Sequence, residues 1–214
     1  MTKTDSRAAE AHKSKQIVLP PARLRSRHSL ERALFERRSI REYAKKPVAI
    51  AELAQLLWSC QGITSKDGLR AAPSAGALYP LEIYAACDRV EGLAAGAYHY
   101  LPGLREHSLE LVRKGVLGRQ LFDLSTQQDF IRDVAVNIII ATVTSRMEKQ
   151  YGEAALRYVL LEMGHAAQNI HLQAEALGCG SVAVGYLKEK EVRELLGIEA
   201  EPLYMVSVGR KAEQ

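Results

Sequence analysis

The run EAALRYVLLEMGHAAQNIHLQAEALGCGSVAVG, residues 153–185, is the stretch from which the fold can be read. Glu153 to Leu177 is the longest uninterrupted helical pattern in the chain, about 37 Å at 1.5 Å per residue, and Gly178 is placed to stop it. Ser181 to Leu187 follows as a strand. Tyr158, Val159, Leu160, Leu161 and Met163 cannot share one stripe, and Gly164, Ala166 and Ala167 are small enough for close helix approach. A helix apolar all round has to be buried in a large core or against a second subunit. His165 and His171 lie six residues apart on different faces, so they do not form an i, i+4 metal pair, and no metal site is expected.

Working outward, Val134 to Val143 is nearly continuous apolar and β-branched, the pattern of a strand covered on both faces and central to a sheet. Leu81, Ile83, Ala85 and Cys87 alternate as in a strand, and Ala97–Leu101, Leu109–Val112 and Leu203–Val208 read as further strands. Ser29 caps a first helix that ends near Arg37, a second runs from Ile50 to Cys60 and stops at Gly62, and Glu189 to Leu196 is short and amphipathic. Shorter helical stretches fall at Leu117–Leu124 and Gln128–Ile131. Helices first, a sheet in the middle and helices between later strands give an α+β layer rather than a regular βαβ array.

Composition narrows the class. The chain has 214 residues, 47% hydrophobic, long enough for one core without disulfide or metal staples. Cys60, Cys87 and Cys179 are odd in number and contain no CxxC, which favours a reducing compartment; with no bilayer-length apolar stretch and a polar start, a cytoplasmic protein is expected. The net charge is +4, yet residues 1–28 alone hold Lys3, Arg7, Lys13, Lys15, Arg23, Arg25 and Arg27 against Asp5 and Glu10. The basic balance therefore belongs to a leader or arm, residues 1–28, and not to the body, residues 29–214, which reads as one domain. A nucleic-acid reader would carry its basic stripe on the body, so neither nucleic acid nor a membrane is an expected partner.

Two motifs are set aside. Gly178-Cys179-Gly180 with Gly185 lies in the order helix, glycines, strand, the reverse of a dinucleotide fingerprint. Ala72-Pro73-Ser74-Ala75-Gly76 resembles a nucleophile elbow, making a serine hydrolase using Ser74 the rival enzyme class, but it leads into a strand instead of opening a helix.

Arg37-Arg38-Ser39-Ile40-Arg41 follows the first helix. If extended, it sets Arg37, Ser39 and Arg41 on one face at period two, two guanidinium forks and a hydroxyl that suit a phosphate. The alternative is a basic helix end answering the helix dipole.

That run occurs in order with Pro73-Ser74-Ala75-Gly76-Ala77-Leu78-Tyr79-Pro80, with Glu162-Met163-Gly164-His165-Ala166-Ala167-Gln168-Asn169, with Leu177 to Gly185, and with Val208-Gly209-Arg210-Lys211. Together, over about residues 29–211, these resemble the nitroreductase-like FMN-binding superfamily, most closely its branch of SagB-type, azoline-oxidising dehydrogenases. The resemblance implies an α+β homodimer with a mostly antiparallel central sheet flanked by helices and the long helix at the dimer interface. FMN would sit between subunits, and the enzyme would be an oxidoreductase working by ping-pong hydride transfer with a nicotinamide or a small organic or peptidic substrate. It assigns Arg37 and Ser39 to the phosphate and ribityl end and Arg41 to the pyrimidine edge, where a cation favours reduced flavin, and it counts Arg38 among the cofactor-binding residues. Pro73, Ser74, Ala75, Gly76 and Ala77 match the loop that reaches the flavin from the partner subunit. Val184 and Gly185 match the backbone facing flavin N5, and Arg210 and Lys211 the C-terminal basic residues on the phosphate. Tyr151 is the implied proton donor or substrate contact. Ala77 and Leu81 stand where many nitroreductases have Asn and an aromatic, which fits the SagB-like branch. In Lys149-Gln150-Tyr151, however, Gln150 stands at that branch's lysine position, which speaks against azoline oxidation. A flavin-carrying or peptide-binding subunit without independent turnover is the alternative.

Overall fold

The computed structural model describes residues 16–212. In chain order the elements are β1 (Ile17–Val18), α1 (Leu30–Glu36), β2 (Val48–Ala49), α2 (Ile50–Gln61), β3 (Leu81–Cys87), β4 (Val90–Glu91), β5 (Gly96–Leu101), β6 (Ser108–Lys114), α3 (Gly118–Asp123), α4 (Asp129–Asp133), β7 (Val136–Thr142), α5 (Ser145–Tyr151), α6 (Ala155–Ala176), β8 (Cys179–Val184), α7 (Glu189–Leu196) and β9 (Glu201–Arg210). Seven strands form one sheet in the order β1-β6-β5-β3-β7-β9-β8, every neighbouring pair antiparallel. The two-residue strands β2 and β4 pair separately, in parallel.

The apolar run at β7 explains the layering. All seven of its residues are buried, because helices cover both faces of the sheet. Val136, Ile138 and Ile140 pack with Leu53, Leu56 and Leu57 of α2 and Val159, Met163, Ala166 and Ile170 of α6. Ile139 and Ala141 face the other way, into a second core with Leu121 of α3, Phe130 and Ile131 of α4, and Val192 and Leu196 of α7. Asn137 is the polar exception and is satisfied: its Nδ2 donates to the Ile131 carbonyl at 2.9 Å, and its Oδ1 accepts from Ser207 Oγ at 2.6 Å.

Three features add to the sequence reading. The segment before the long helix is itself helical, α5, set off from α6 by a kink at Gly152 (φ 50, ψ −128). The long helix is not buried all round: Ala166 and Ala167 enter the core, whereas Leu156, Leu160 and Leu161 are each about half exposed. Gly164 points outward, with nothing within 4 Å of where a Cβ would lie. The described chain also joins the fold before residue 29, where the sequence reading begins the domain. Ile17–Val18 pairs with β6, Leu19 is buried with its N–H on the His107 carbonyl at 2.9 Å, and the Arg23 N–H donates to Gln55 Oε1 at 2.7 Å. The earlier part of the leader, residues 1–15, lies outside the described residues.

Candidate functional site

The chain leaves α1 at Arg37 with extended backbone (φ −50, ψ 124) and runs along the free edge of β8. Ser39 bridges Ser181 in parallel, and the Ile40 N–H donates to the Ser181 carbonyl at 3.0 Å. Further on, Ala44 N–H donates to the Arg210 carbonyl at 2.9 Å, and Tyr43 bridges Lys211. This close approach accounts for Gly180, while Gly178 (φ 70) ends the long helix, as its place in the sequence suggested. A Cβ on Gly180 would lie 2.7 Å from Ile40 Cγ2, so a side chain there would push the 39–44 segment off the sheet.

Arg37 and Arg41 are the cations this segment leaves available: among the described residues no carboxylate lies within ion-pair distance of either. Arg38, on the opposite side of the extended run, donates from Nη1 to the carbonyls of Phe35 at 2.9 Å and Arg37 at 2.8 Å. It answers the end of α1, as the alternative reading of the basic run supposed. Arg210 and Lys211 are each engaged by an acid. Arg210 Nη2 is 2.6 Å from Glu52 Oε2, which also accepts the Ala49 N–H at the start of α2, and Lys211 Nζ is 2.5 Å from Glu175 Oε1.

Sequence reading set His171 aside as a metal ligand and gave it no part in the site; its Nδ1 lies 2.8 Å from Ser181 Oγ beneath Ser39. Burial first, then the positive charge of Arg37, pushes its pKa down to about 4, so it is a neutral ring at pH 7. Positive charge at this end of β8 therefore rests on arginine and not on histidine. At the other end, Val184 is buried and Gly185 is exposed, four residues beyond Ser181 and about 13 Å along the strand.

The loop 73–80 is tightly made. A 3-10 turn at Ala75–Ala77 places Gly76 (φ 61), Ala77 (φ 53) and, just after it, Tyr79 (φ 48) in the left-handed region. Two of these carry side chains, at about 1–2 kcal/mol each, so the surroundings must impose the shape. Ser74 Oγ accepts the Tyr79 N–H at 2.9 Å, Arg146 Nη1 donates to the Tyr79 carbonyl at 3.0 Å, and the Arg70 guanidinium stacks 4.6 Å from the Tyr79 ring centroid. A Cβ on Gly76 would lie 3.0 Å from both Gln150 Nε2 and the Tyr151 hydroxyl, so the loop tip rests on these two residues. Gln150 Nε2 donates to the Tyr151 hydroxyl at 3.4 Å, and the Tyr151 and Tyr158 rings are 4.6 Å apart.

The structure thus brings Arg37, Ser39, Arg41, Arg210 and Lys211 to one end of β8, and Pro73, Ser74, Ala75, Gly76, Ala77 and Tyr151 together elsewhere. The loop enters β3, three strand positions from β8, or about 14 Å across the sheet. Ser74 keeps no histidine among its described hydrogen bonds, and its loop leads to a strand, so the hydrolase alternative lacks both a histidine base and an elbow among the described residues. A groove of about 700 Å³ lies elsewhere, against Arg23, Ser29, Trp58, Asn169 and Gln173, and none of the expected cofactor residues lines it.

The Nitroreductase family profile matches residues 34–210, which hold every residue of this site except Lys211. The chain belongs to the nitroreductase family. A Methanocaldococcus jannaschii protein assigned as a nitroreductase is 41% identical over 184 residues, covering 86% of this chain and 92% of its own. Among solved structures assigned as nitroreductases, one from Ralstonia eutropha superposes with a TM-score of 0.79 at 27% identity, covering 93% of this chain and 90% of its own. Another, from Anabaena variabilis, gives a TM-score of 0.81 at 29% identity over 93% of this chain; this chain spans only 42% of that longer one. The mixed α+β fold with its antiparallel sheet is thus the nitroreductase fold, and membership supports an oxidoreductase that uses a flavin. Among the described residues no helix is long and apolar enough to cross a membrane, and no group of three or more His, Cys, Asp or Glu could hold a metal ion.

Proposed function

We propose that this nitroreductase-family chain is an FMN-dependent oxidoreductase of the SagB-like branch. It acts as a homodimer by ping-pong hydride transfer between a nicotinamide and a small organic or peptidic substrate. The observation that carries the reading is the pair of arginines without acid partners among the described residues, Arg37 and Arg41, flanking exposed Ser39 beside an edge strand that is followed by exposed Gly185. A dianionic phosphate fits such a donor set, since guanidinium forks and a hydroxyl match its oxygens. Flavin, when bound, supplies the hydride acceptor at N5. Arg37 and Ser39 hold the phosphate, Arg41 offers positive charge toward the ring, and Gly185 brings main chain to the ring without a side chain in the way. Arg210 and Lys211, already balanced by Glu52 and Glu175, line the rim and keep the local charge from running away.

The separation of loop 73–77 and Tyr151 from the β8 edge favours a site completed by a second copy. The outward face of α6, with Leu156, Leu160, Leu161 and Gly164, supplies an apolar surface for it. A Vibrio harveyi NADPH:FMN oxidoreductase solved with NAD+ shares the fold, with a TM-score of 0.62 at 18% identity, in line with a nicotinamide reductant. The second reading, a flavin-carrying subunit that turns over only with partners, draws on Gln150 at the branch's lysine position. It also draws on the fold shared, at a TM-score of 0.70 and 20% identity, with the Escherichia coli microcin synthetase McbBCD complex. Mixing the purified protein with NADH or NADPH and a quinone or nitroarene separates the two. Bleaching of the flavin absorbance and parallel double-reciprocal lines are expected; no reduction by either nucleotide would replace the first reading with the second.

A further inference from the structure

Beneath loop 73–80 lies a carboxylate that neither the fold nor the proposed cofactor contacts use. Glu162, on the core side of α6, is 2% exposed, and among the described residues neither of its carboxylate oxygens has a hydrogen-bond partner. Around it, the buried Gln61 Nε2 and Arg70 Nε are also unpartnered, although Arg70 Nη1 donates to Gln61 Oε1 at 3.1 Å. Buried polar atoms left in this state are costly unless they serve something. The Ser74 hydroxyl borders the carboxyl. Because Ser74 Oγ already accepts the Tyr79 N–H, its own proton is free to be donated.

We propose that Glu162 is the positioning residue of loop 73–80: through Ser74 it sets the left-handed turn at Gly76–Ala77, and through that turn the placement of Gln150 and Tyr151. The path is physical and short. Glu162 meets Ser74; Ser74 fixes Tyr79 and opens the 3-10 turn; Gly76 at the tip touches Gln150 and Tyr151. A carboxylate accepts the Ser74 proton, whereas a carboxylic acid also has a proton to give. The two forms therefore hold the loop differently, and Tyr151 feels the difference.

The charged and titratable groups facing Glu162 are Arg70, from the turn after α2, and Cys60, on α2 itself; on α6 its neighbours one turn away are Tyr158 and His165. Burial raises the Glu162 pKa to about 7, against the lowering effects of Ser74 and Arg70, so both forms are populated near neutrality. Cys60 stays a thiol there because burial pushes it upward. The inference rests on the oxidoreductase reading only for the role of Tyr151 as substrate contact.

The test needs no bound flavin. Infrared pH-difference spectra of the full chain should show a protonated-carboxyl band titrating near 7 that is lost in Glu162→Gln. In Ser74→Ala the midpoint should move upward, since a donor to the carboxylate is removed. The labelled ring resonance of Tyr151, assigned with Tyr151→Phe, should shift with the same midpoint in the wild type and lie flat in Glu162→Gln. Glu162→Asp should keep a titrating band while weakening its coupling to Tyr151. A protein with no such band, or one whose band titrates while Tyr151 stays still, would overturn the proposal. Failure to bind FMN would sink the functional reading alone.

Discussion

On the proposed function, Arg37→Ala should weaken FMN binding by roughly 100-fold, while Arg38→Ala, one residue away, should change it by less than about threefold. The contrast follows from where the two guanidiniums go. Arg37 has no described acid partner and faces the Ser39–Ser181 bridge, so a phosphate bound there would be its principal partner. Hydrogen bonds to a charged group contribute about 1.5–3 kcal/mol, or about 10- to 150-fold in affinity. Arg38 spends its donors on two helix-end carbonyls and has little to lose. Arg37→Lys should recover only part of the affinity, because a point charge replaces a fork. Removing Arg37 also lifts one of the two causes that hold His171 low, so the His171 pKa rises from about 4 in the variant. Flavin fluorescence titration measures the affinities, and proton resonances of the imidazole follow the histidine. Equal losses at positions 37 and 38 would mean that the phosphate is not held by the outward face of this run.

Glu162→Gln stabilises the protein at alkaline pH and leaves it nearly unchanged near pH 5. The folded-state pKa of Glu162 is raised, from 4.5 to about 7, so between those values the native state binds more protons than the unfolded chain. Stability therefore falls as pH rises through that window, and above about 7 the whole penalty is present. A shift of this size corresponds to about 3 kcal/mol as an upper figure. Glutamine carries no charge at any pH and has nearly the same shape, so the variant escapes the penalty. Urea midpoints of wild type and variant, compared at pH 5 and at pH 8.5, measure it, and other titrating groups cancel in the difference. Parallel curves at both pH values would show that the carboxyl is not held neutral by burial. With the pH-linked positioning of Tyr151, the same substitution would then gain stability and lose control of the loop.

Much of the layout was legible because it depends on local pattern. Val134–Val143 is apolar or β-branched at every position but Asn137, and only a strand covered on both faces needs that; its residues 136–142 became β7, between β3 and β9. Glu189–Leu196 carried a clear amphipathic stripe and is α7 without adjustment. Ser29 caps α1 by accepting the Arg32 N–H at 3.2 Å. The failures have tertiary causes. The strands β1, β2 and β4 are two residues long and exist through their partners, which no local pattern encodes. α5 begins without a side-chain cap, so its start carried no signal. The outer face of α6 stays open because its coverage is not decided within one chain's pattern.

The candidate site divides in the same way. Period two placed Arg37, Ser39 and Arg41 together and left Arg38 on the opposite face, which is where its hydrogen bonds lie. Glu162 was quoted in the sequence as part of a resemblance and given no role, since a glutamate on a helix is solvated by default. Its burial, beside Arg70 and Ser74, is set by tertiary packing that the spacing along α6 does not encode. His171 escaped for a related reason: its partner, Ser181, lies across a helix end and a glycine turn, so spacing along α6 says nothing of their meeting.

The most direct test of the central claim is the absorbance spectrum of the purified protein, followed by mass identification and quantification of whatever it releases on denaturation. The account predicts a yellow protein that yields FMN at about one per chain. A colourless protein that also takes up no added FMN would contradict it, since Arg37, Ser39 and Arg41 would then hold no flavin phosphate.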